Sequence, residues 1–172
     1  MELIIVRHGI AQDRGAPGVR RDADRALTEE GIRRTREAAR GLRVLGIRPG
    51  CIATSPLVRA RETADILGEV LAPDVSVETC KELAGGGDLH KLVRWTAKRD
   101  AEQVMLVGHM PDVADLCALL LSRGRDLDMV FKKAAACCVT FSGAPRAGGG
   151  RLAWLIQPRA LRALADAEGD AS

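Results

Sequence analysis

At 172 residues, with 47% apolar and 28% charged side chains, the chain has the length and balance of one folded domain rather than of a disordered or fibrous protein. Its 26 basic and 23 acidic residues are interleaved, a net +3 that argues against a nucleic-acid partner, and 2% aromatics with no tyrosine leave little for base-stacking platforms or carbohydrate cradles. No apolar run approaches the roughly 18 residues that a bilayer span requires, and "MELIIV" passes into "RHG" without the basic segment and cleavage site of a signal peptide, so a cytoplasmic protein with no membrane contact is expected.

Short apolar runs alternate with longer segments of helical period, the pattern of a mostly parallel sheet covered by helices in an α/β fold. In chain order, "LIIV" (3–6) reads as the first strand. A helix follows, with Thr28 as its N-cap and Ile32, Ala38, Ala39, Leu42 and Leu45 on one face. "CIAT" (51–54) is the second strand, followed by a helix over 57–71; "VSVE" (75–78) is the third, followed by a helix over 88–99. "VMLV" (104–107) leads into a leucine-rich helix over 111–122, one that should lie deep. "ACCVTF" (136–141) and "LAWLI" (152–156) are the last strands, joined by a hairpin connection through the glycine- and proline-rich stretch 143–151. A helix over 159–167 closes the expected single domain, residues 1–167, and a tail over 168–172 is expected to fray. Five cysteines, an odd number without CxxC spacing, read as reduced core thiols rather than a disulfide or zinc framework.

In open α/β sheets the ligand sits beyond the carboxyl ends of the strands. Three strands end there in reactive side chains: Arg7, His8 and Gly9 after the first, Ser55, Arg59 and Arg61 after the second, and His109 after the fourth. If the strands are neighbours, arginines and histidines converge on one crevice whose charge suits an anion. Each residue alone has a plainer reading as a hydrogen-bonded or solvated side chain; their common position at one end of the strands is what core packing does not require. His8, His90 and His109 lack the His-x-x-x-His spacing of a metal site, and neither GxSxG, a P-loop nor GxGxxG occurs, so no metal or cofactor is expected.

"VRHG" (6–9), "RALTEEG" (25–31), "TSPLVRARET" (54–63), "KELAGGGD" (81–88) and "VGHMPDV" (107–113) together resemble the histidine phosphatase superfamily, and more closely its SixA-type phosphohistidine phosphatase branch. The resemblance spans almost the whole chain and implies a three-layer α/β/α, phosphoglycerate mutase-like fold. It also implies His8 as the nucleophile that takes a phosphoryl group, with Arg7, Arg59 and His109 around the phosphate. The chemistry is compatible: guanidinium forks bind phosphate oxygens and absorb transition-state charge, and nearby positive charge keeps an imidazole neutral.

The resemblance selects Arg59 over Arg61, which two residues on must face almost the opposite way. Gly9 is expected to bring the backbone close to the phosphate and Arg25 to line the pocket rim. Ser55 either meets the phosphate or caps the helix starting at Pro56. Relatives that cleave alkyl phosphates use a carboxylic acid on the leaving group, for which Glu82 and Asp88 are the candidates here. The expected substrate is a phosphorylated protein carrying phosphohistidine. The alternatives are a small phosphorylated substrate of a phosphomonoesterase from the same superfamily, and a non-catalytic phosphate-binding module.

Overall fold

A computed structural model describes residues 1–122 and 127–169. The strands are β1 (Glu2–Arg7), β2 (Cys51–Thr54), β3 (Val77–Thr79), β4 (Gln103–Gly108), β5 (Ala136–Thr140) and β6 (Arg151–Ile156). The helices are α1 (Glu29–Val44), α2 (Val58–Leu71), α3 (Leu89–Thr96), α4 (Asp112–Ser122) and α5 (Pro158–Gly169), with short 3-10 turns at Asp22–Asp24 and Lys81–Leu83. The sheet order is β3-β2-β4-β1-β5-β6. β1, β2, β3 and β4 pair in parallel, while β5 runs antiparallel to both β1 and β6, the latter through the expected hairpin.

Alternation along β1 explains the layers. Leu3 and Ile5 join β4, β5, α3 and α4 in one core, while Ile4 and Val6 join α1, α2 and α5 in the other. With both faces covered, β1 reads as an unbroken apolar run rather than an alternating one. The connection after β1 leaves toward the α1 face and the one after β4 toward the α4 face, so a crevice opens between these adjacent strands at their carboxyl ends.

Several boundaries differ from the sequence reading. The third strand occupies 77–79 rather than 75–78, and α3 stops at Thr96 because Lys98 and Arg99 turn back through their N–H groups onto the carbonyls of Trp95 and Thr96. α5 continues to Gly169, beyond the expected end at 167; residues 170–172 of the expected tail lie outside the described residues. Thr28 caps α1, its side chain accepting from the Gly31 N–H. The buried face of α1 is rotated, however: Ile32 and Leu45 are 40% and 38% exposed, while Gly31, Thr35, Ala38, Ala39 and Leu42 are buried. Small residues win that face because Gly31 lies against the Ile10 carbonyl and Gly41 against the Leu161 carbonyl of α5, with no room for a side chain between. Among the described residues no helix is long and apolar enough to cross a membrane. All five cysteines are unbonded and buried.

Candidate active site

β1 and β4 set the centre of the crevice. Arg7 stands opposite Gly108 in the parallel register, and the His8 N–H donates to the Gly108 carbonyl at 3.0 Å, so His8 and His109 emerge side by side. Their ring centroids are 5.0 Å apart. β2 delivers Ser55 to the same end, its N–H bonded to the Val107 carbonyl at 3.0 Å. In the first turn of α2, Arg59 extends back over the strands until its Nε lies 3.3 Å from His8 Nε2. His8 and His109 are each 6% exposed, as is Arg59.

The hydrogen bonds orient His8. Its Nδ1 is 2.7 Å from the Gly9 carbonyl, and a carbonyl only accepts, so Nδ1 carries the proton and Nε2 keeps its lone pair toward Arg59. The Gly9 N–H is itself engaged, donating to Thr63 Oγ1 at 3.0 Å, and Thr63 Oγ1 donates to the Arg59 carbonyl at 2.6 Å. Glycine at position 9 is required by a close approach to α1. A Cβ there would collide with the Thr35 hydroxyl and sit 3.2 Å from Leu27 Cδ2.

His109 Nε2 meets Ser55 Oγ at 2.7 Å, and its Nδ1 is buried without a partner. Ser55 Oγ also accepts from the Leu57 N–H at 3.3 Å. The helix itself starts at Val58 with Leu57 as its uncapped first boundary residue, so Ser55 does not cap a helix beginning at Pro56. Arg7 reaches the Phe131 carbonyl through Nη1 at 2.6 Å, and its Nε is buried without a partner. Arg61 faces outward as expected, pairing with Asp65 at 3.0 Å.

Both histidines are held neutral. The His8 pKa is lowered to about 3, first by burial away from water; the hydrogen bond to the Gly9 carbonyl opposes this, and repulsion from His109, Arg59 and Arg7 adds to the lowering. That of His109 is lowered to about 4, again chiefly by burial and then by Arg59. The sequence reading named the cationic neighbours as the cause; desolvation is the larger one, because an imidazolium in this crevice loses its hydration.

Asp22 is the site residue that the sequence reading missed. Its carbonyl and Oδ2 take Arg59 Nη1 and Nη2 at 2.7 and 3.0 Å, and its Oδ1 takes both Arg25 Nη1 and Arg14 Nε at 3.0 Å. Arg25 is bonded to Asp22 and to the Gln12 carbonyl. These guanidinium groups hold the Asp22 carboxyl well below the usual carboxylate range, the hydrogen bond from Arg25 most of all. Sequence distance hid the contact; the run of arginines around Asp22 and Asp24 was the only signal available.

The two acid candidates have other partners. Asp88 caps α3 by accepting the Lys91 N–H at 3.0 Å, which lowers its pKa and keeps it ionised. Glu82 Oε2 accepts from the Cys80 thiol at 3.4 Å. With Lys81, Gly87 and Lys91 they face a cavity of about 240 Å³. The glycine run beside them is tied to the start of α4, where Asp112 accepts the Gly86 N–H at 3.1 Å. No group of three or more His, Cys, Asp or Glu among the described residues could hold a metal ion.

A model of the histidine phosphatase superfamily (branch 1) matches residues 3–107. The chain belongs to that superfamily. Within the superfamily, phosphohistidine phosphatase SixA of Escherichia coli is 27% identical over 165 residues, which are 94% of this chain and 97% of the relative. An uncharacterized protein of Picosynechococcus is 45% identical over 118 residues, 67% of this chain and 70% of its own. The structure of the protein histidine phosphatase SixA complexed with tungstate superposes with a TM-score of 0.81 at 27% identity, covering 94% of this chain and 99% of that one. With superfamily membership and phosphatase relatives of the same fold, the protein is a phosphatase.

Proposed function

We propose that the protein hydrolyses phosphohistidine in a protein substrate through a covalent phosphohistidine on His8. The observation that carries this reading is the pinned imidazole: Nδ1–H is held by the Gly9 carbonyl at 2.7 Å, which leaves Nε2 unprotonated and accepting from Arg59 Nε at 3.3 Å, a guanidinium that a phosphoryl oxygen can take over. A neutral imidazole with Nδ1 fixed and Nε2 unprotonated is the nucleophilic form, and burial keeps it neutral at physiological pH.

In the first step the Nε2 lone pair forms an N–P bond as the P–N bond to the substrate imidazole breaks, and the leaving nitrogen takes a proton from solvent. Arg59 and Arg7 bind the phosphoryl oxygens and offset the charge that crowds them in the transition state. In the tautomer in which the Ser55 hydroxyl donates to His109 Nε2, Nδ1 of His109 carries the proton and is a further donor for a phosphoryl oxygen. In the second step water attacks phosphorus, the P–N bond to His8 breaks with its electron pair returning to Nε2, the water's proton passes to solvent as phosphate leaves, and His8 returns to its neutral form.

The acid candidates favour this substrate class. An alkoxide leaving group needs a strong proton donor, whereas imidazole, with an unperturbed pKa of roughly 6.5, leaves without one. Asp88, ionised and capping α3, is no such donor. The SixA likeness over 94% of the chain points the same way. Five unbonded cysteines suit a reducing compartment such as the cytoplasm.

The test compares turnover of phosphoramidate and a phosphohistidine peptide with that of an alkyl phosphate, and looks for an acid-labile phosphoryl label on the protein. Faster cleavage of the P–N substrates and loss of the label in His8→Gln are expected. A preference for the alkyl ester, or a label that survives in His8→Gln, would overturn the proposal.

A further inference from the structure

Beside the reaction centre, at the same carboxyl end of the sheet, lies a cavity of about 380 Å³ between the first turns of α1 and α5 and the loop ahead of β5. Its size is at the lower end of the roughly 300–1,000 Å³ of small-ligand sites. Arg7, Arg34, Lys132, Lys133 and Arg162 line it, and no Asp or Glu does. Arg34 pairs with Glu30, and Arg162 with Glu37 at 3.6 Å. The ammonium groups of Lys132 and Lys133 meet no carboxylate among the described residues. Thr35, only 1% exposed, also lines the cavity, and its hydroxyl has no hydrogen-bond partner. The Thr35 hydroxyl lies against Gly9, so the cavity's suitability for an anion rests on its surplus positive charge.

The loop that carries the two lysines is fastened to the nucleophile's own backbone. Ala134, in the left-handed region at φ 65°, donates its N–H to the carbonyls of both Arg7 and His8 at 3.1 Å. A non-glycine residue adopts that conformation only when its surroundings hold it there. Gln157 braces the other side, accepting the Lys132 N–H at 3.1 Å and donating to the Val130 carbonyl at 2.6 Å. The backbone that carries the two lysines is therefore held against that of His8 rather than swinging as a free loop.

We propose that this cavity is an accessory anion subsite that takes a carboxylate of the protein substrate, an acidic side chain flanking the phosphohistidine. The inference rests on the phosphohistidine reading above. The cavity holds a side chain and not a second folded domain, and its charge discriminates acidic flanks from neutral or basic ones by attraction on one side and repulsion on the other.

Two phosphohistidine peptides test it, one with Asp and Glu beside the phosphorylated residue and one with Ala in their place, against wild type, Lys132→Ala/Lys133→Ala and Lys132→Arg/Lys133→Arg. Phosphoramidate turnover registers any damage to the reaction centre. The wild type should prefer the acidic peptide. The alanine variant should reduce that preference in kcat/KM about fivefold to tenfold, through KM, and the arginine variant should restore it. An unchanged preference in the alanine variant, or none in the wild type, overturns the subsite. If neither peptide is cleaved, the phosphohistidine reading has failed; binding of the unphosphorylated acidic peptide, followed by fluorescence anisotropy, then decides the subsite alone. Weaker binding to the alanine variant supports it, and equal binding overturns it.

Discussion

The two buried imidazoles make the folded protein sensitive to acid in a calculable way. The perturbation is a fall in pH, and the comparison is between wild type and the double variant His8→Asn/His109→Asn. Above about pH 6.5 both rings are neutral in folded and unfolded chains, and neither contributes a pH dependence. As pH falls through 6.5 the unfolded chain binds protons that the folded one refuses, since the folded pKa values are about 3 for His8 and about 4 for His109. Stability therefore falls with falling pH, by about 1.4 kcal/mol per pH unit for each ring, until the folded pKa is reached. Between pH 6.5 and 4.5 the two together remove on the order of 5 kcal/mol, comparable with the whole stability of a marginal domain. Urea unfolding followed by far-UV circular dichroism at pH 7.5, 6.0 and 4.5 measures this directly. The double variant should lose far less stability than the wild type over that range. Parallel pH profiles for the two proteins would show that burial does not hold these rings neutral, and would refute the reasoning.

Three other perturbations probe the site's supports. Asp22→Asn removes the carboxylate that shares Arg59 and Arg25 with any incoming phosphate; inorganic phosphate or tungstate should bind several-fold more tightly by calorimetry, from relief of a repulsion worth about 1 kcal/mol, and weaker binding would instead make Asp22 a necessary brace for Arg59. Thr63→Val leaves the buried Gly9 N–H without an acceptor and should cost about 1–3 kcal/mol in urea unfolding, whereas an unchanged midpoint would mean that the N–H finds another partner. Gly41→Ala should destabilise although alanine is the better helix former by about 1 kcal/mol, because its methyl runs into the Leu161 carbonyl and overpacking of this kind costs about 1–3 kcal/mol beyond that gain. A raised melting temperature would contradict the tight approach of α1 to α5.

Local pattern carried the strands, the helices and the arrival of His8, Ser55 and His109 at one end of the sheet, because periodicity, turn residues and strand ends are properties of neighbouring residues. It also showed that Arg59 and Arg61, two residues apart on a helix, face opposite ways, while the family resemblance chose Arg59 between them. It failed on the face of α1. Ile32 and Leu45 look like core by hydropathy, yet Gly31 and Gly41 take buried positions because backbone contacts with Ile10 and Leu161 exclude bulk. The partners of the site were equally out of reach. Asp22 on Arg59, Phe131 on Arg7 and Thr63 on Gly9 join residues 37, 124 and 54 positions apart, and nothing in a linear pattern specifies which carbonyl or hydroxyl will lie within 3 Å of which donor. The neutrality of His8 divides in the same way: its cationic neighbours could be named from the chain, but the larger cause, removal of the ring from water, exists only once both helical layers have closed over the sheet.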